Sequence, residues 1–127
     1  MLRTRGFPVK FLHGVCGVFA LALNDRLDYP IAALHWKDAD PDDLWAGLEH
    51  FFCVAPGGVY VDVRGTTDDF QAFCMEFSSP KYFRVLKNLD AAQLKRDLMQ
   101  EMGESNLSIL YGEAVAEIKS NLANYKI

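Results

Sequence analysis

The sequence is poor in the features that would assign a class at a glance. It has no excess of positive charge: 13 Lys and Arg stand against 17 Asp and Glu, a formal net charge of −4. That argues against a nucleic-acid binder, whose affinity comes largely from cations on phosphates. It has only three cysteines, Cys16, Cys53 and Cys74. An odd set cannot all pair, which argues against a disulfide scaffold and for a reducing, cytoplasmic compartment. The apolar stretch from Phe11 to Leu23 is too short to span a bilayer, which needs roughly 20 such residues, so no membrane partner is expected. Arg3, Arg5 and Lys10 ahead of it, and Ala20-Leu21-Ala22 within it, give it some likeness to an export signal. His13 interrupts the stretch, and a structural segment is the favoured reading. There is no repeat, low-complexity segment or internal linker.

What is present is a chain of 127 residues, half of it hydrophobic. That size and content suit one compact domain, 1–127, able to offset its chain entropy by burial. Residues 1–13 read as an arm open to an extended shape, 14–65 as the core of any site, and 66–127 as a helical C-terminal part. Phe19, Ala20, Leu23 and Leu27 recur at helical spacing, so 16–28 is expected to be a central helix, ended by Tyr29-Pro30. Residues 31–36 fit a short buried strand. Asp40-Pro41-Asp42-Asp43 reads as a helix start, with the helix running through Leu48. Two β-prone runs, 49–55 and 59–64, flank Pro56-Gly57-Gly58 and form a hairpin. Thr66 or Thr67 can cap a helix over 68–77. Lys81 to Leu86 fits a further strand. Asp90 with Gln93 starts a helix to Met102, which Gly103 stops. Ser105 starts a last helix over 106–124, with Ile109, Leu110, Ala114, Val115, Ile118 and Leu122 on one side. The expected fold class is α+β: an early helix packed on an antiparallel sheet, with further helices behind.

Cys16 opens the first helix. A helix start presents free N–H groups and a partial positive charge, and both stabilise a thiolate. The same N–H groups, that of Gly17 among them, can hold the oxyanion formed when a thiolate attacks a carbonyl. Gly14 and Gly17 on either side leave room for a substrate. Cys53 and Cys74 read as core filling. A thiol nucleophile needs a base, and His50 opens the first hairpin strand while Asp62 lies in the second. Parity decides whether they can meet. A two-residue turn sets Asp62 opposite Cys53, on the face away from His50. A three-residue turn pairs Ala55 with Val59, and then His50 and Asp62 are diagonal neighbours on one face. The catalytic reading requires the second. His50 then moves the thiol proton, and Asp62 fixes the imidazole tautomer. The plainer alternatives are a half-buried strand-end histidine and a carboxylate pairing with Arg64.

Cys16-Gly17-Val18-Phe19-Ala20, then His50-Phe51-Phe52, then Val61-Asp62-Val63-Arg64-Gly65 resembles the papain-like cysteine peptidase superfamily. The likeness is to its compact bacterial branches, the leader-peptidase domains of bacteriocin exporters and the papain-fold deamidase and toxin domains. It covers residues 13–65. It implies a papain-like core, a Cys16 nucleophile, a His50 base and an Asp62 orienter. It also implies a peptide or protein substrate and no cofactor. Many members carry a Gln ahead of the nucleophile as oxyanion donor. Lys10 stands at that place here, leaving Lys10, His13, Asn24 or backbone N–H groups to substitute. The alternative is a non-catalytic interaction protein on the same fold, such as a phage or mobile-element factor binding a host protein.

Other constellations are weaker. His13-x-x-Cys16 with His50-x-x-Cys53 offers a zinc-like set, but His50 and Cys53 should face opposite ways on a strand. Asp38, Asp40, Asp42 and Asp43 lack the Gly and Glu of a calcium loop. No metal is therefore expected. Trp36 and Trp45 flank the acidic loop and either line a cleft near His50 or pack on the sheet.

Overall fold

In the computed structural model, which describes residues 1–127, the first helix, α1, runs Cys16–Leu27. Val18 through Leu23 are all buried, so it is apolar nearly all round and sits at the centre of the main core. It ends one residue earlier than the sequence suggests. Asp28 adopts a left-handed conformation, φ 60° and ψ 32°, and its N–H caps the carbonyl of Asn24, a geometry that closes helices before Pro30 can break them.

Four more strands join β1 (Ile31–Trp36): β2 (Leu48–Ala55), β3 (Val59–Asp62), β4 (Gly65–Thr67) and β5 (Phe83–Leu89). They form one sheet in the order β4-β3-β2-β1-β5, antiparallel throughout. Side chains alternate between its two faces. Ile31, Ala33, Phe51, Cys53 and Val61 join α1, α3 (Ala91–Met102) and α4 (Glu104–Ser120) in the larger core. Ala32, Leu34 and Phe52 face the other way, onto Phe83 and onto Phe73 of the short helix α2 (Phe70–Cys74). The fold is thus α+β with α1 packed on an antiparallel sheet. No helix is long and apolar enough to cross a membrane.

Several local expectations fail for physical reasons. Residues 40–48 form turns and no helix, and Leu48 already belongs to β2. Asp40 Oδ1 accepts from Asp42 N–H and Asp43 Oδ1 from Ala46 N–H, so the aspartates satisfy the backbone in non-helical form. Arg84 then pins the loop by donating to the carbonyls of Trp36, Lys37 and Ala39. Thr66 and Thr67 pair with β3 rather than cap a helix. The cap of α2 is Asp69, which accepts from Ala72 N–H, and the helix is shorter than expected. The last helix starts at Glu104, and Ile109 is 62 % exposed; the buried side carries Leu107, Ala114 and Ile118. Asp90 caps α3 as its sequence implies, accepting from the N–H groups of Ala92 and Gln93.

The arm is extended only at its start, where Leu2 bridges Gly65 and Arg3 N–H donates to Arg64 O. Val9–Phe11 is a 3-10 turn, and Phe11 and Leu12 are core residues.

Candidate active site

The hairpin sets the site. Ala55 pairs with Val59, Val54 with Tyr60 and Cys53 with Val61, so Pro56-Gly57-Gly58 is a three-residue connection. Gly57 and Gly58 have φ of 84° and 76°, in the left-handed region where glycine carries no steric penalty. This is the odd parity that puts His50 and Asp62 on one face. They meet: His50 Nε2 lies 2.9 Å from Asp62 Oδ2. His50 is 0 % exposed and Asp62 2 %.

The β2–β3 ladder ends at the Cys53–Val61 pair. The next free amide along β2, that of Phe51, donates to Cys16 Sγ at 3.3 Å. The first turn of α1 is therefore seated where the ladder stops, with the thiol on the amide next in sequence to His50. His50 Nε2 is committed to Asp62, and Nδ1, buried, has no hydrogen-bond partner. That leaves Nδ1 as the nitrogen for the thiol.

The electrostatics follow from burial and pairing. Burial by itself pushes the Cys16 thiol up, but His50, and after it the Phe51 N–H, outweighs burial and the thiol lies below its ordinary range. Burial by itself lowers His50, but its bonds to Asp62 and Cys16 outweigh burial and raise it to about 9. Burial would raise Asp62, but His50 and Arg64 hold it at about 2. These shifts set the Asp62 carboxylate between two cations, the His50 imidazolium and the Arg64 guanidinium, and bias the Cys16 thiol toward its thiolate. Each buried charge has an opposite neighbour, the condition under which burial is tolerable.

Arg64 is the member that sequence reasoning cast only as a rival partner for Asp62. Both pairings occur together. Arg64 Nη2 donates to Asp62 Oδ2 at 2.8 Å, its Nε reaches both carboxylate oxygens, and its backbone N–H donates to Oδ1 at 2.8 Å. The i, i+2 spacing in the run 59–64 was the available signal, although the strand ends at Asp62 and Arg64 lies in the turn before β4. The aromatic wall was missed altogether: the Phe77 ring lies 4.6 Å from that of His50, centre to centre, with Phe73 and Phe52 further out. Phe73 and Phe77 also stack on the Arg64 guanidinium.

The remaining sequence candidates fall elsewhere. Gly17 sits in the first turn of α1, whose N-cap Val15 offers no side-chain cap, so its backbone N–H is free of that competition. Its missing side chain does not make room for a substrate: a Cβ there would meet Phe51 Cδ2 at 3.2 Å and Leu98 Cδ1 at 3.3 Å. Gly14 is required by its backbone, with φ 116°. His13 is at the surface, 3.1 Å from Glu76 and edge-on to Phe77. Trp36 packs on Phe83 and Tyr82 and donates to Glu49; it takes the sheet-packing alternative and makes no contact with the trio. Lys10 pairs with Glu113, and Asn24 donates to Tyr29 O, so both are drawn away as oxyanion donors. Cys53 and Cys74 are buried and free, and burial raises both thiols.

No protein-family model, curated protein or solved structure matches the chain.

Proposed function

We propose that the chain is a papain-like cysteine hydrolase or acyltransferase acting on an amide or thioester of a peptide or protein. The observation that carries this reading is His50, bound to Asp62 through Nε2 with Nδ1 unpartnered, while the N–H of the adjacent Phe51 donates to Cys16 Sγ. Cys16 Sγ adds to the carbonyl carbon, and the N–H groups at the start of α1 hold the oxyanion. His50 gives its proton to the departing nitrogen or sulfur as the C–N or C–S bond breaks. Water, or an acceptor amine, then attacks the thioester with His50 taking its proton, and the thiol is restored. Asp62 keeps the imidazole in one tautomer and balances its charge. No cofactor enters these steps. A reducing compartment such as the cytoplasm suits the free thiol.

A second reading, a non-catalytic interaction protein, is favoured by one observation: Cys16 is only 9 % exposed. Iodoacetamide labelling at pH 6, read by mass spectrometry, separates the two. The hydrolase reading expects Cys16 to label faster than Cys53 and Cys74, and expects that advantage to vanish in His50→Ala. Slow, equal labelling of all three thiols moves the assignment to the interaction protein, whose binding then survives Cys16→Ala.

A further inference from the structure

A cavity of about 360 Å³ lies between the N-terminal arm and α2, a volume within the range of small-molecule sites. Its walls are largely apolar, with Leu2, Phe7, Val9, Leu12 and Met75 contributing. Arg64 also lines it, although Arg64 is only 5 % exposed. Most of that guanidinium is committed. Nε and Nη2 hold Asp62, and Nη2 also donates to Phe73 O. Nη1 has no protein partner, and it is not sealed away, since His50 Nδ1 is the only buried side-chain nitrogen or oxygen that lacks one. A fixed pair of N–H donors on a permanent cation therefore opens on an apolar cavity.

The other charged groups of the cavity are occupied. Arg3 donates to Val63 O and Tyr125 Oη and lies 3.6 Å from Glu117. His13 and Glu76 pair with each other at the rim. Asp62 balances Arg64 along its Nε–Nη2 edge only. Nη1 is thus the one donor on a charged group of the cavity that is left unmet, and a guanidinium edge meets a carboxylate oxygen best.

We propose that this cavity binds a small monocarboxylate with a short apolar tail, its carboxylate on Arg64 Nη1 and its tail among Leu2, Phe7, Leu12 and Met75. The site does not use the Cys16 thiol, so it stands or falls apart from the hydrolase reading. Such a group has two sources, a free short-chain acid or the C-terminal carboxylate of a peptide ending in an aliphatic residue.

The test is a titration of the intact protein followed by NMR of its arginine side-chain nitrogens. Hexanoate is compared with hexanamide, and N-acetyl-Ala-Leu with its C-terminal amide. Each acid is expected to shift the Arg64 signals and to bind at least about tenfold more tightly than its neutral amide, the value of one charge-assisted hydrogen bond. Ala72→Met, which adds side-chain volume at the cavity wall, is expected to weaken hexanoate by about as much, with unchanged Arg64 signals in the free protein as the check that the Arg64–Asp62 pair is intact. Whichever acid binds more tightly names the source. Equal binding of acid and amide, or no shift at Arg64 up to the solubility of either acid, overturns the proposal.

Discussion

His50 Nε2 and Asp62 Oδ2 stand 2.9 Å apart with both side chains sealed from solvent. Asp62 is shared, for Arg64 donates to the same oxygen from both Nε and Nη2. A carboxylate held by two cations is fixed in orientation, and it fixes the imidazole in turn. The Cys16 thiol accepts from the N–H of Phe51, next in sequence to His50.

The pairing predicts how Cys16 reacts with pH. The thiol is lowered by His50 against the opposing effect of burial. Alkylation of Cys16 should therefore reach half its limiting rate below pH 9, the ordinary thiol value. In His50→Ala burial acts unopposed by the imidazole, and the midpoint should move above that value. Rates of iodoacetamide capture from pH 5 to about 10, followed by mass spectrometry, give both midpoints. An unmoved midpoint in His50→Ala means that the imidazole does not act on the thiol.

Asp62→Asn should be severely destabilising. It leaves the buried Arg64 guanidinium and the His50 imidazolium without their anion, a loss of about 3–5 kcal/mol for a broken buried pair. Urea unfolding of variant and parent measures it. The parent's pH profile carries a matching signature. Asp62 is held at about 2, below its unfolded value of 3.8, so its contribution is present above that value and is lost as pH falls toward 2. His50 is raised from 6.5 to about 9, so its contribution is full below 6.5 and is lost as pH rises through 9. Stability should therefore fall at both ends.

Gly17→Ala sets helix propensity against packing. Alanine gains at most about 0.5–1 kcal/mol, the helix-interior value, in this first turn, but its Cβ must push Phe51 and Leu98, both at under 3.4 Å. Overpacking of this kind costs about 1–3 kcal/mol, so a net loss of about 1 kcal/mol is expected. Phe51 carries the N–H that meets Cys16, so its displacement should also slow Cys16 alkylation. A variant more stable than the parent contradicts this.

His13→Ala should do little to the fold. Its partner Glu76 is about as exposed as His13 itself, 48 % against 49 %, and exposed pairs contribute about 0–1 kcal/mol. A thermal-denaturation midpoint close to the parent's is expected. A loss above about 1 kcal/mol would assign His13 a structural role through Phe77 that a surface pair does not have.

Residue order alone accounts for the parts that depend on local chemistry. Residue order placed Cys16 at a helix start and Asp90 at a cap, because helix ends and caps are decided within a few residues. Alternation along the strands made a shared face for His50 and Asp62 a matter of turn parity, and Pro56-Gly57-Gly58 offered the conformations that an odd turn needs. The tertiary structure decided everything that depends on neighbours distant in the chain. It turned the acidic segment after Trp36 into a loop, because Arg84 holds its carbonyls from another strand. It gave Gly17 its reason, which is the nearness of Phe51 and Leu98 rather than access for a substrate. It also made Arg64 a partner to His50 in holding Asp62, where the sequence set the two pairings against each other. Burial is the cause: away from water, one carboxylate gains more from two cations than from one, and no single strand read alone reveals which groups are buried together.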